Sequence, residues 1–369
     1  MRRRDFLRGA SVLGGGAVLA MSQWPLRIPA ALASSRRGIV HVLLFSNFEG
    51  WSQDPEPTVS WFEDCSLAHP QVRWTHLYNP WHLIMTYPEV VATEAGFSPY
   101  LLDRQRSGKA EIGVHLHMFY DLVAAMGVTP RAYPFATDTS PGCDYPRAVA
   151  EDPLDGYDGL LTAYTPAEQA TILDASIRAF LKRGFRRPRT FCAGYSATDP
   201  ALQALLVKKG FRASFAAQIG PYGDCWDQLV AWSGNITPLT MPYRVSRSTI
   251  LPPPHVDPKH LGIVEIPLNM GVDSTPLSNG NQVVSRVDMF DRHFDWATTT
   301  KGETAVAIGV HADVIANETW GSGASALVFE EFLSHVEERA SLGGAEVRFS
   351  TASKVATRFR RNTTIGSVP

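Results

Sequence analysis

The sequence predicts an α/β fold built on a largely parallel sheet, and three observations carry that reading. Eight short runs rich in β-branched and aromatic residues alternate with longer stretches of helical character, and crossovers of that length suit parallel pairing. With 369 residues, 44% hydrophobic and 19% charged, the chain holds enough apolar material for a large core, which excludes a disordered chain or a small disulfide-stapled module. No G-x-G-x-x-G or Walker-type loop follows any of the runs, so nothing supports a nucleotide site. The length allows two domains or one enlarged barrel, and eight strands do not by themselves choose between a closed barrel and an open sheet.

In chain order the first predicted strand is Val40 to Phe45, followed by Val72 to Leu77. A helix beginning with Pro88 and ending near Gln105 leads to the strand Ala110 to His117. The helix Pro166 to Arg183 follows Thr165, a residue that favours helix starts, and precedes the strand Arg189 to Ala193. Asp199 and Pro200 open a helix to Lys209, and short strands follow at Ala213 to Ala216 and Ile263 to Leu268. The last units are a helix Val287 to Thr298, a strand Ala305 to His311, a helix Ala324 to Ala340 and a strand Val347 to Ser350. Two stretches rich in Pro and Gly, 129–159 and 220–258, break the alternation and read as long functional loops. Residues 358–369 form a polar tail.

The first residues read as an address rather than as fold. Arg3, Arg4, Asp5, Phe6, Leu7 and Arg8 resemble the twin-arginine export consensus. A weakly apolar stretch too short to span a bilayer follows, then Ala31-Leu32-Ala33 as a cleavage site. The expectation is a signal over 1–33, a partner in the twin-arginine export machinery, an exported location in periplasm or medium, and no stable membrane span. The four cysteines, Cys65, Cys143, Cys192 and Cys225, form no C-x-x-C pair. An oxidising compartment makes a Cys143–Cys225 bridge the preferred pairing, with Cys192 an inert buried thiol. A formal charge of -2 gives no basic field for nucleic acid.

The sharpest chemical feature is Glu111-Ile112-Gly113-Val114-His115-Leu116-His117. On a strand, His115 and His117 share one face while Ile112, Val114 and Leu116 face the opposite, apolar layer. Two imidazoles at a strand's C-terminal end supply half of a metal site. Glu49 follows the first strand, and His311 and Asp313 close another, so three strand ends offer Glu49, His115, His117, His311 and Asp313. In a parallel barrel such ends converge on one face.

These residues carry a family resemblance. AEIGVHLH resembles the second motif of the polysaccharide deacetylases, carbohydrate esterase family four, and CAGYSATDPALQALLVKKGFRASFA resembles their third-motif region. GIVEIPLNM and AIGVHADV, with the following AEVRFSTASKVA, resemble the later strands and last motif, so the likeness runs in order through nearly all of the chain after its leader. It implies an irregular (β/α) barrel over 38–357 and a carbohydrate substrate losing an acetyl or similar acyl group. It also implies one divalent metal, zinc by preference, held by Glu49, His115 and His117. His311 matches the family's general acid, and Asp313 offers an alternative base or a partner of a histidine.

Three departures stand out. Asn47 occupies the place of the family's catalytic base, and an amide takes no proton from water. Phe119 occupies the usual place of the second histidine, whose role passes to His117. Cys192 replaces the arginine that holds the base. Asp54 is a further candidate base, and Trp51, Tyr195, Tyr243 and Trp320 are candidates to stack on sugar rings. The departures keep a second reading open, a catalytically silent glycan-binding relative. An amidohydrolase-type barrel fits less well, because its HxH belongs on the first strand and this one falls near the third.

Overall fold

The structure is a computed structural model that describes residues 37–49, 54–131, 157–217, 236–237, 239–252, 259–268, 277–279, 282–312 and 324–361. The stretch 1–33, where the sequence predicts an export signal, together with Trp51, Cys143, Cys225, Asp313, Trp320 and most of the two long loops, lies outside them.

The strands are β1 (Gly38–Phe48), β2 (Trp74–Tyr78), β3 (Ala110–Leu116), β4 (Met118–Phe119), β5 (Tyr157–Gly159), β6 (Thr190–Ala193), β7 (Ala213–Ser214), β8 (Tyr243–Ser246), β9 (His260–Glu265), β10 (Leu277–Asn279), β11 (Gln282–Val284), β12 (Glu303–His311) and β13 (Ala345–Phe349). The helices are α1 (Pro55–Ala68), α2 (Trp81–Ile84), α3 (Pro88–Arg106), α4 (Tyr120–Ala125), α5 (Pro166–Arg183), α6 (Pro200–Lys209), α7 (Arg286–Thr300), α8 (Ala324–Leu342) and α9 (Ala352–Phe359). The main sheet runs β12-β1-β2-β3-β6-β7-β9-β8, with β13 also paired to β1. Its pairs are parallel except the antiparallel β8–β9 edge.

Local sequence explains the helix limits. Thr165 and Glu168 form a reciprocal capping box at the start of α5, Pro166 fills the first turn, and Gly184 ends the helix with a φ of 100°. Asp199 caps α6 through the Leu202 amide in the same way. Asp54 does this for α1, accepting from the Glu56 amide at 3.1 Å, so this carboxylate serves as an exposed helix cap.

The sheet curls until its inner face packs on itself. Phe45 of β1 meets Phe215, just past β7, with ring centroids 4.9 Å apart, although three strands separate β1 from β7 in the sheet. Gly309 on β12 makes room for this, since a Cβ there would fall 2.0 Å from the Phe45 ring. Leu43, Phe45, Leu77, Cys192, Ala213, Val264, Ala305 and Ala307 form this inner cluster. The outer faces, including Ile112, Val114 and Leu116, pack under the helices in a second cluster. The result is the irregular (β/α) barrel of deacetylase type that the sequence predicts, as a curled, parallel-rich half-barrel.

Helix α9 plugs the end where the strands begin. Its Ala352 and Ser353 amides donate to Thr75 Oγ1 and Glu111 Oε2, near the starts of β2 and β3. Arg358 pairs with Glu303 at the start of β12, and Phe359 is buried. Burying that phenyl ring contributes about 2–3 kcal/mol. With this end filled, the site occupies the opposite end, where the strands finish.

Candidate metal centre

Three strand ends build the centre. Glu49 is the residue after β1, His115 lies on β3, and His117 follows its last residue. All three are buried, and their donor atoms form the one Glu/His/Cys/Asp cluster found among the described residues with metal-holding geometry. His115 Nε2 and His117 Nε2 lie 3.0 and 2.5 Å from Glu49 Oε2, and 3.0 Å from each other. His311, the last residue of β12, reaches the other carboxylate oxygen, with Nε2 2.8 Å from Oε1. Its side chain is 27% exposed, so it stands between the buried cluster and solvent.

The surrounding chain holds this arrangement. Asn79, in an Asn-Pro turn after β2, donates from Nδ2 to the Glu49 carbonyl at 2.6 Å and accepts from the Trp81 amide. Behind His117 lies the 3-10 turn Gly194–Ser196, where a Cβ on Gly194 would fall 2.6 Å from His117 Nδ1. Tyr195 and Ser196 in this turn have φ of 56° and 54°, a left-handed conformation costing about 1–2 kcal/mol per residue. The turn sets the Tyr195 ring edge-on to His117 at 5.4 Å. Cys192 sits across from His115 in the β3–β6 register, and its thiol donates to the Phe215 carbonyl at 3.1 Å.

Electrostatics favour an ionised carboxylate here. Burial by itself raises the Glu49 pKa, but His115, His117 and His311 together hold it well below the usual carboxylate range. For His117, burial outweighs the carboxylate and lowers the pKa, keeping the ring neutral. For His115, burial also lowers it, but Glu49 and Cys192 prevail and raise it. A neutral Nε2 is a metal ligand, and an arriving cation displaces the proton that His115 otherwise carries.

The donor set fits a divalent cation. Two imidazole nitrogens crowd one carboxylate oxygen, which leaves their lone pairs and N–H groups in conflict unless a cation takes the common focus. Ligands about 2.0–2.1 Å from a tetrahedral zinc stand about 3.3 Å apart, so the cluster needs to open by less than an ångström. Two histidines and one glutamate, with a coordination position left over, match the three-ligand pattern of catalytic rather than structural zinc. The Glu49–His115–His117 group can therefore hold a metal ion.

The geometry brings together Glu49, His115, His117 and His311 as the sequence analysis anticipates, while Asp313 lies beyond the described residues. Tyr243 departs from expectation. It is 3% exposed, and its hydroxyl donates to the Ile250 carbonyl at 2.9 Å, so it is a core residue with no face for a sugar. Asn79 and Gly194 escaped the sequence reading, although Asn-Pro after a strand and the glycine of Cys192-Ala193-Gly194 were visible signals.

No family model matches the chain, and no curated protein does. Among solved structures, the chain resembles a Parabacteroides distasonis protein provisionally described as a glycoside hydrolase/deacetylase. The two share 13% identity with a TM-score of 0.56, over 89% of this chain and 73% of that one. A Mycobacterium smegmatis protein provisionally described as a polysaccharide deacetylase aligns at 13% identity and a TM-score of 0.47, over 89% of this chain and 94% of that one. At such identity the likeness to the first establishes the shared fold.

Proposed function

We propose that the protein is an exported, metal-dependent hydrolase that removes acetyl or similar acyl groups from a carbohydrate polymer. The observation that carries this reading is the convergence of Glu49, His115 and His117, with His311 on the same carboxylate, at the open end of a deacetylase-type barrel. Zinc, the ion this donor set favours, supplies Lewis acidity toward the acyl oxygen and lowers the pKa of water.

The chain's own residues divide the remaining work. Glu49 and the two buried histidines hold the centre dry and fix its geometry. His311, half-buried at the rim, protonates the leaving amine or alkoxide. Asp313, two residues further on, is the assigned base, because Glu49 is committed to the cluster and Asn47 takes no proton. Tyr195, Trp51 and Trp320 are the proposed platforms for sugar rings.

Acetate release from acetylated oligosaccharides tests this directly. Release that stops on chelation and returns with zinc is the expected result; no release by metal-loaded protein overturns it. One observation favours a second reading, that of a silent glycan-binding protein. Across the β1–β12 register from His311 stands an amide, Asn47, in place of an acid. Oligosaccharide binding without any acetate release selects that reading.

We also propose export by the twin-arginine route with removal of residues 1–33. Replacing Arg3 and Arg4 by Lys strands the precursor inside the cell; normal export of that variant defeats the proposal. Among the described residues, no helix is long and apolar enough to cross a membrane.

A further inference from the structure

Among the described strands of the main sheet, β13 stands off the linear order and pairs with β1 alone. The Ser350 amide donates to the Val42 carbonyl, so by strand alternation the backbone groups of Glu346, Arg348 and Ser350 face β1. Those of Ala345, Val347 and Phe349 face the other way, where no strand pairs with them among the described residues. A groove of about 780 Å³ wraps this free edge, with Val336 and Ala340 of α8 on one side and Lys354 and Arg358 of α9 on the other. Val347 and Phe349 line it and are half-buried.

An open edge is a template for another strand, and folds commonly blunt it with lysine, proline or a bulge. β13 carries none of these. Its sequence is Ala345-Glu346-Val347-Arg348-Phe349, which sets a Glu and an Arg symmetrically about Val347. Within one chain these two exposed side chains share a face and pair, Arg348 Nε lying 2.6 Å from Glu346 Oε1. Parallel, in-register contact with a copy of this strand sets Glu on Glu and Arg on Arg, which repels. Antiparallel contact centred on Val347 sets each Glu346 opposite Arg348 of the other copy, and the small Ala345 opposite the large Phe349. It also turns the outward N–H and C=O groups of Ala345, Val347 and Phe349 onto those of the copy, as the hydrogen-bonded positions of an antiparallel ladder. The occupant that fits both the charges and the hydrogen bonds is the same strand of a second copy.

We propose that two copies of this chain associate through β13, edge to edge and antiparallel about Val347, so that their main sheets join into one. The contact is two-fold and closed, so assembly stops at two. Val347 stands level with Val40 on β1, and from Val40 to Glu49 the chain spans about 30 Å at about 3.3 Å per residue. The two metal centres then lie about 60 Å apart along the strands and open in opposite directions. The inference is independent of the hydrolase reading.

Sedimentation of the full chain tests it. Expected is a reversible dimer with a Kd of about 1–100 μM, the range of a small interface, and a chain still monomeric at about 1 mM overturns the proposal. A monomer that dimerises only after residues 362–369 are deleted gives the edge to the chain's own tail and overturns it as well. Arg348→Glu places Glu opposite Glu twice over and is expected to weaken the dimer about 10–100-fold. Combining it with Glu346→Arg restores the opposite-charge pairs and is expected to return Kd to within about threefold of wild type. Val347→Pro removes an outward N–H while sparing the ladder to β1, and is expected to abolish the dimer with the fold intact by circular dichroism. A dimer indifferent to Arg348→Glu or to Val347→Pro uses another surface and overturns the proposal, as does failure of the double variant to recover. Should Val347→Pro fail to fold, the charge exchange still decides.

Discussion

The Nε2 atoms of His115 and His117 stand 3.0 Å apart and face the same oxygen of Glu49. Three donors focused on one point in a dry pocket are costly to keep together without a cation, and that cost becomes binding energy when one arrives. Zinc at a hundredfold excess over its dissociation constant is therefore expected to stabilise the fold by about 2.7 kcal/mol, read as a rise in Tm. His115→Ala combined with His117→Ala should abolish both the shift and stoichiometric metal on elemental analysis. A shift that survives in the double variant would place the ion elsewhere.

Gly194 gives a second prediction. A methyl group there would fall 2.6 Å from His117 Nδ1 and push the ring off its line to Glu49. Changes behind a ligating histidine typically lower metal affinity 10–100-fold, and Gly194→Ala is expected in that range. Calorimetric zinc titration measures it, with circular dichroism checking that the fold persists. Wild-type affinity in the variant would show that the turn does not orient His117.

Which parts of this molecule were legible beforehand follows from what local pattern encodes. The eight predicted strands all appear, because each is a short β-branched run buried on one or both faces. Helix α1 was missed: it buries Thr58, Phe62 and Cys65, a narrow stripe with one strongly apolar member, behind two prolines. Strand β8, four residues in a Pro-rich stretch, owes its pairing to β9 rather than to its own pattern. At the centre, His115 and His117 were legible because a strand's period of two puts them on one face. The contact of His311 with Glu49 depends on how β12 registers against β1, which no local pattern states.

His69 ties α1 to α8 and predicts a pH effect. Its Nδ1 bonds Glu337 at 2.8 Å and its Nε2 bonds Glu330 at 2.9 Å. Ionised carboxylates only accept, so both nitrogens carry hydrogen and the ring is a cation. Burial lowers its pKa, but the two glutamates prevail and the net shift is upward from 6.5. The stabilisation is therefore fully present below about pH 6.5, the unfolded value, and disappears as pH rises through the raised folded value. Because Glu330 and Glu337 are about one-third exposed, screening holds the contribution to about 0.5–1 kcal/mol. Urea unfolding of His69→Gln across pH 6–9 should show this slope flattened; an unchanged slope would exclude the clamp.

Glu265 predicts an effect in a lower window. Its carboxyl group is wholly buried, with Oε1 accepting from the Ala216 and Ala217 amides at 2.6 and 2.8 Å and Oε2 from Gln203 Nε2 at 3.3 Å. Burial is the largest influence and prevails over these bonds, so the pKa is pushed up from 4.5 to about 7. The folded state thus binds a proton that the unfolded state has already lost. The group's favourable contribution is complete below pH 4.5 and is lost as pH rises to about 7, a difference of roughly 3 kcal/mol. Glu265→Gln keeps an oxygen for the two amides and never ionises, and its NH2 group can donate to Gln203 Oε1, an acceptor without a donor in the wild type. Denaturant unfolding between pH 4.5 and 7.5 should therefore show the variant gaining on the wild type as pH rises. Parallel curves for the two proteins would mean that Glu265 is already ionised throughout this range.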